Sequence, residues 1–84
     1  MSLAISKPAD LVLYKFDACP YCQKVMKAVD RLGVAVRYRD TREDASAREE
    51  LVRVGGKAQV PCLFIDGRPM YESDDIVAYL ESLH

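Results

Sequence analysis

Residues 11–33 read LVLYKFDACPYCQKVMKAVDRLG, and this stretch decides the fold. Residues 11–16 are mainly apolar or aromatic, which predicts a short buried strand. From Pro20 onward apolar side chains recur at helical spacing, and Gly33 is placed to end the helix. The stretch therefore predicts a strand followed at once by a helix, with two cysteines at the junction.

The residues that follow predict another strand and another helix. Residues 34–39 alternate apolar and basic side chains, as a half-exposed strand does. A strand-helix-strand unit has parallel strands and a right-handed crossover. Asp44 or Ser46 can act as the N-cap of the second helix, and Gly55 with Gly56 can end it. The buried face of this helix is predicted to contain three residues: Ala47, Leu51 and Val54.

The last third predicts a β-hairpin and a third helix. Residues 60–65 form a strand pattern, Asp66-Gly67 is a tight-turn signal, and residues 69–72 form the return strand. Ser73 is a candidate N-cap for the third helix. Five apolar residues make the stripe that this helix buries: Ile76, Val77, Tyr79, Leu80 and Leu83. The predicted order is β-α-β-α-β-β-α, an α/β fold in one domain over residues 1–84.

The composition is that of a folded protein in a reducing compartment. The 12 basic and 13 acidic residues are interleaved, so no basic face for nucleic acid is expected. No apolar run reaches the length of a membrane span, and Lys7, Pro8 and Asp10 interrupt the centre that a secretory signal would need. Three cysteines are an odd count for a secreted disulfide framework. We therefore expect a cytoplasmic monomer without nucleic-acid or membrane partners.

The spacing of the two cysteines predicts thiol chemistry. With Cys19 at the helix start and Pro20 at its first position, the Cys19 sulfur faces free amide groups and the positive end of the helix dipole. These groups favour the thiolate, and Lys15 can add positive potential. Cys22 lies one turn deeper, shielded but within disulfide reach. We therefore predict that an exposed Cys19 thiolate attacks a disulfide and that Cys22 resolves the mixed disulfide.

Other interpretations of the cysteines are less favoured. A structural zinc site normally takes four ligands, and beyond the pair the chain offers only the distant Cys62 and the terminal His84, without a second close pair. An unreactive pair fits poorly with a helix start, where thiols become reactive. Cys62, inside an apolar strand, is predicted to be a small buried hydrophobe. The Val60-Pro61 bond is trans by default, although a cis bond would expose the backbone of Val60 to an extended peptide.

Four sequence elements, taken in order, resemble the glutaredoxins of the thioredoxin superfamily: Cys19-Pro20-Tyr21-Cys22, Val60-Pro61, Asp66-Gly67 and Ser73-Asp74-Asp75. The resemblance runs over residues 11–83 and implies a thioredoxin-like sheet of four strands flanked by three helices. It implies a cis Pro61 facing the cysteines and a Val60 backbone that pairs with the cysteinyl part of glutathione. It also implies that Ser73 and Asp74 receive the γ-glutamyl end, with Asp74 taking the ammonium group. Tyr21 belongs to the same implied glutathione site.

The sequence departs from the glutaredoxin pattern in two places. Glutaredoxins usually carry a lysine three residues before the first cysteine, for the glycine carboxylate of glutathione, and Phe16 stands there. Lys15 and Arg53 are the candidate replacements, although neighbouring strand residues such as Lys15 and Phe16 face opposite sides. Tyr71-Glu72 replaces the usual Gly-Gly, and Glu72-Ser73 is similar to the N-terminal domain of glutathione S-transferases. Both relatives bind glutathione at this place.

The resemblance implies a glutathione-dependent thiol-disulfide oxidoreductase. Cys19 would be the nucleophile and Cys22 the resolving thiol, with glutathione as co-substrate, glutathionylated or disulfide-bearing proteins as partners, and no metal. One alternative is a non-catalytic or regulatory glutathione-binding module related to the transferase domain. Another is a carrier of a [2Fe-2S] cluster, which the proline in the motif argues against, because members that bridge such clusters usually lack it.

Overall fold

The computed structural model describes residues 10–83 and has the predicted order of strands and helices. The elements are β1 (Leu11–Lys15), α1 (Pro20–Leu32), β2 (Arg37–Asp40), α2 (Ala45–Gly55), β3 (Cys62–Ile65), β4 (Arg68–Met70) and α3 (Ser73–Ser82). They form one four-stranded sheet in the order β2-β1-β3-β4. β1 pairs parallel with β2, whereas β3 is antiparallel to both β1 and β4. Within residues 10–83, none of the helices is both long and apolar enough to cross a membrane.

The strands are shorter than predicted because pairing with β1 limits them. β2 begins only at Arg37, which pairs with Val12. β3 begins at Cys62, opposite Tyr14, because Pro61 has no amide hydrogen to extend the ladder. β4, which pairs with β3, starts one residue earlier and ends two residues earlier than the predicted range 69–72.

The sheet carries a separate apolar cluster on each face, because successive side chains of a strand point to opposite sides. The cluster facing α1 and α3 consists of Leu11, Leu13, Val25, Val29, Leu63, Ile76 and Leu80. The cluster facing α2 consists of Val12, Tyr14, Ala47, Leu51, Cys62 and Phe64. Cys62 is therefore a buried member of the α2-facing cluster, as predicted.

One prediction for the buried face of α2 is wrong. Val54 is 41% exposed, whereas Ala47 and Leu51 are fully buried. The residues of α2 that face the sheet are four apart in sequence: Ala47, Leu51 and Gly55. Gly55 packs against the Tyr71 side chain, so a Cβ atom there would lie 3.2 Å from Cζ of Tyr71 and would overlap its hydroxyl. Val54 therefore points away from the core.

The helix ends follow the predicted signals except at α3. Asp44 is the N-cap of α2, where its carboxylate accepts the Ser46 amide hydrogen. Ser73 is not an N-cap, because the amide of Ile76 already donates to the carbonyl of Glu72 at 3.0 Å. Glu72 is therefore the N-cap, with a φ of 74° and no side-chain capping bond. This left-handed conformation is rare for a residue with a side chain.

Candidate active site

Cys19 lies where α1 begins and caps that helix with its sulfur atom. Its Sγ accepts a hydrogen bond from the amide of Cys22 at 3.4 Å, and Pro20 occupies the first helical position. The amide of Cys19 donates to the carbonyl of Phe16 at 3.2 Å, which fixes the loop between β1 and α1. Cys19 is only 8% exposed, so it is less open than predicted, because the sulfur turns toward the helix amides.

Cys22 is fully buried one helical turn deeper, as predicted. Its pKa lies well above the ordinary value, first because burial removes water and then because the Cys19 sulfur is close and hydrogen-bonded to it. Lys15 and the backbone of Phe16 oppose this rise without cancelling it. Cys19, Cys22 and Cys62 are all free thiols. The two cysteines of the motif thus have unequal surroundings, with Cys22 held as the neutral thiol.

A cleft of about 450 Å³ opens beside the cysteine motif. Seven residues line it: Tyr21, Gln59, Val60, Pro61, Glu72, Ser73 and Asp74. The Val60-Pro61 peptide bond is cis, so the default of a trans bond is wrong and the conformation implied by the resemblance is confirmed. The two thiols do not line the cleft, but Tyr21, which is 65% exposed, connects it to the motif. Gln59 was missed by sequence reasoning, and its position next to Val60 is the signal that could have found it.

The two candidate cations for the glycine carboxylate lie outside this lining. The Lys15 side chain is 13% exposed, and its Nζ lies 2.7 Å from Oδ1 of Asp17 and 3.6 Å from Oδ2 of Asp40. The hydrogen bond to Asp17 is the main reason that the pKa of Lys15 is raised. Arg53 is exposed on α2, with Nη2 4.0 Å from Oε2 of Glu50.

The start of α3 offers partners for both charged groups of an amino-acid end, the carboxylate and the ammonium. The free amides at the first turn of a helix attract a carboxylate. Asp74 forms an ion pair with Lys24 of α1, so its carboxylate already accepts an ammonium group in this structure. The Glu72 side chain adds a second acid to the same wall of the cleft. This wall therefore suits a group that carries one carboxylate and one ammonium.

Known proteins resemble the chain in sequence. The family model described as the glutathione S-transferase N-terminal domain matches residues 13–84. Glutaredoxin 3 of Escherichia coli K12 is 30% identical over 70 residues, which cover 83% of this chain and 84% of the relative. The chain belongs to the glutaredoxin family. This glutaredoxin therefore also matches the thioredoxin-like domain with which transferases begin.

Solved structures place the glutaredoxin in the thioredoxin-like fold, as predicted. The holo form of glutaredoxin C1 from Populus tremula x tremuloides superposes with a TM-score of 0.70 at 22% identity, covering 88% of this chain and 76% of that one. Rice GST1 in complex with glutathione superposes with a TM-score of 0.74 at 31% identity. That match covers 90% of this chain and 34% of the rice protein, so this chain spans about a third of the transferase.

The described part of this glutaredoxin contains no cluster of three or more His, Cys, Asp or Glu side chains that could hold a metal ion. His84, the fourth candidate zinc ligand in the sequence, lies outside residues 10–83. The buried thiol of Cys62 has its pKa raised to about 11, mainly by loss of water, and the neighbouring Tyr71 hydroxyl lowers it in part. Cys62 is thus a poor ligand and a poor nucleophile near neutral pH.

Proposed function

We propose that this glutaredoxin is a glutathione-dependent thiol-disulfide oxidoreductase that reduces protein-glutathione mixed disulfides or small disulfides. The observation that carries the proposal is the hydrogen bond from the Cys22 amide to Sγ of Cys19 at the start of α1. Amide donors and the helix dipole stabilise negative charge on a sulfur atom in this position. This arrangement supports Cys19 as the nucleophile and Cys22 as the resolving thiol.

In one route of the proposed reaction, Cys19 is the only thiol of the protein that reacts. Its thiolate attacks the glutathione sulfur of a mixed disulfide, that S–S bond breaks, and the other partner leaves as a thiolate that takes a proton from water. Cys19 is then joined to glutathione. A second glutathione thiolate attacks the bound glutathione sulfur, which releases oxidised glutathione and restores the Cys19 thiolate. Only the second glutathione sulfur is oxidised, because the first was already part of a disulfide, and the substrate sulfur is reduced.

In the other route, Cys22 reacts when Cys19 is joined to another protein or small molecule. Two contributions that raise the pKa of Cys22, its hydrogen bond with Cys19 and the charge of Cys19, depend on the free Cys19 sulfur. Both weaken when that sulfur enters a neutral mixed disulfide, so Cys22 loses its proton more readily at that stage. It then attacks Cys19, releases the bound thiol and forms the Cys19-Cys22 disulfide, which two glutathione molecules reduce.

The cleft supports glutathione as the bound thiol. We propose that the backbone of Val60 beside Pro61 pairs with the cysteinyl residue and that Tyr21 flanks it. Ser73 and the first amides of α3 receive the γ-glutamyl carboxylate, and Asp74 exchanges Lys24 for the ligand ammonium. Rice GST1, a structural neighbour, was solved in complex with glutathione. Lys15 and Arg53 remain the sequence-based predictions for the glycine end.

The decisive experiment measures reduction of a glutathionylated peptide and of a small disulfide, with oxidised glutathione removed by NADPH and glutathione reductase. Cys19→Ser is expected to lose all turnover above background. Cys22→Ser is expected to keep deglutathionylation of the peptide, because that reaction needs one thiol. Cys62→Ala is the matched control and is expected to keep both activities. Unchanged turnover in Cys19→Ser would refute the proposal.

One observation favours a second candidate function. The transferase family model covers residues 13–84, and Glu72-Ser73, the pair similar to transferases, lines the cleft. A glutathione-binding module without turnover would share this wall. Calorimetric titration of the wild type with S-methylglutathione separates the two candidates, because tight binding without disulfide exchange by the wild type would favour the module.

A further inference from the structure

The Phe16 ring is stacked against the side chain of Arg42. The guanidinium carbon of Arg42 lies 3.9 Å from the centroid of the Phe16 ring. Phe16 is also the residue whose carbonyl accepts the amide hydrogen of Cys19, so this stacked pair sits at the entrance to the cysteine motif. The pairing joins residues 26 positions apart, and nothing in the local sequence around either one predicts it.

The turn after β2 holds Arg42 in this place. The parallel pairing of Lys15 with Asp40 sets the ends of β1 and β2 side by side. The amide of Thr41 donates to the carbonyl of Lys15 at 2.9 Å, which extends that pairing by one residue. The Asp40 carboxylate then accepts the amide hydrogens of Arg42 at 2.9 Å and Glu43 at 3.0 Å. The backbone of Arg42 is thus fixed beside the loop that contains Phe16.

The N–H groups of the Arg42 guanidinium are available to donate hydrogen bonds to a ligand. Among residues 10–83 it has neither a hydrogen bond nor an ion pair, and the residue is exposed. Lys15, the other cation at this end of β1, is held by Asp17 and Asp40. A guanidinium that stacks on an aromatic face can still donate two parallel hydrogen bonds in its own plane to a carboxylate.

The order of the strands shows which part of a ligand would reach Arg42. One edge of the sheet brings together the ends of all four strands: Arg42 follows β2, Cys19 follows β1, Pro61 precedes β3, and Ser73 follows β4. Neighbouring strands are about 4.8 Å apart, so the edge from β4 to β2 spans roughly 14 Å. An extended tripeptide reaches about 10 Å, and a long arginine side chain covers the remainder.

We propose that Arg42, held on the ring of Phe16, binds the glycine carboxylate of glutathione. The inference rests on the proposed function, which places the γ-glutamyl group at α3 and the cysteinyl group beside Pro61. The glycine end then extends over β1 toward β2, where Arg42 offers its free edge. Phe16 is a positioning residue. Its ring and Arg42, which comes from another loop, together take the place of the lysine that glutaredoxins usually carry.

The test compares mixed disulfides that differ only in the glycine carboxylate. One peptide carries glutathione and the other carries glutathione monoethyl ester, in which that carboxylate is neutral. Arg42→Gln is expected to raise KM for the glutathione peptide about fivefold, the size of one exposed charge pair, with kcat unchanged. KM for the ester peptide should not change. Arg48→Gln removes an exposed arginine from α2 and is the matched control that should alter neither KM.

A second pair of variants tests whether the Phe16 ring positions Arg42. Phe16→Leu keeps the backbone bond to Cys19 but removes the ring, so it should lower the preference for glutathione over its ester. Arg42→Lys keeps the charge without the planar fork and should retain part of that preference. A general loss of structure would reduce turnover of both peptides equally, and this outcome would argue against positioning by Phe16.

The failure of this inference is distinguishable from failure of the proposed function. If the wild type turns over glutathionylated peptide through Cys19 but Arg42→Gln discriminates between glutathione and its ester as the wild type does, Arg42 is not the carboxylate site and the enzyme assignment stands. If the wild type shows no Cys19-dependent turnover of either peptide, the proposed function fails and the assignment of Arg42 fails with it.

Discussion

The amide of Cys22 hydrogen-bonds to the sulfur of Cys19, whereas the sulfur of Cys22 itself is enclosed and uncharged. One motif therefore contains two thiols in different surroundings, because the Cys19 sulfur accepts a backbone hydrogen bond whereas burial raises the pKa of Cys22. Burial and hydrogen bonding produce this difference before any ligand is bound.

Alkylation should distinguish the three cysteines. In the reduced protein at pH 7.5, iodoacetamide is expected to modify Cys19 at least about tenfold faster than Cys22 or Cys62, because both of these are fully enclosed and have raised pKa values. Peptide mapping by mass spectrometry at short times measures the three rates. In urea the three rates should converge, and equal rates in the folded protein would contradict the burial of Cys22 and Cys62.

Leu51 and Val54 lie three residues apart on α2 and should respond differently to truncation. Leu51→Ala is expected to lower the free energy of unfolding by about 3 kcal/mol, because it leaves a cavity in the α2-facing cluster. Val54→Ala is expected to change it by less than about 0.5 kcal/mol, since Val54 is exposed on a helix. Urea denaturation followed by circular dichroism measures both values. A similar loss in the two variants would mean that α2 is rotated.

Gly55 should tolerate no side chain while Tyr71 keeps its hydroxyl. Gly55→Ala is expected to cost about 1–3 kcal/mol of stability, because the new Cβ overlaps the Tyr71 hydroxyl and displaces it from the carbonyl of Lys57. In a Tyr71→Phe background the same substitution should cost less. The double-mutant cycle measures the difference, and full additivity would show that the two side chains do not meet.

Asp44 should make α2 sensitive to acid. Hydrogen bonds from Ser46 and then Arg39 lower the pKa of Asp44 from 3.8 to about 2. A carboxyl whose pKa is lower in the folded state stabilises the protein above its unfolded pKa, and this stabilisation is lost as the pH falls through the folded pKa. The wild type should therefore lose stability between about pH 4 and pH 2. Asp44→Asn should flatten the pH dependence of Tm in this window, and an unchanged slope would contradict the assignment.

Local sequence patterns were sufficient to predict the order of elements and most of the core. Spacing of four residues in helices and alternation in strands depend only on near neighbours, so Leu51 and Leu80 could be predicted as buried. The position of the cysteine motif could be predicted in the same way, because Pro20 marks the start of the helix and Gly33 its end.

Features that depend on distant pairing could not be predicted in this way. The sequence predicts a buried Val54 because it does not show that Gly55 faces Tyr71. The sequence predicts Ser73 as the N-cap because it does not show that Glu72 takes a positive φ. The contact of Arg42 with Phe16 depends on the parallel register of β1 and β2, which no pattern within either strand encodes.

The two outer strands of the sheet also affect how copies of the protein meet. An unpaired strand edge is a template on which a second chain can add its own strand and begin to aggregate. β4 ends the sheet on one side with Pro69, which has no amide hydrogen to offer such a chain. β2 ends it on the other side with Arg37 and Arg39, and charged side chains on an edge strand disfavour pairing with another chain. The sheet that presents the site is thereby protected from growing beyond four strands.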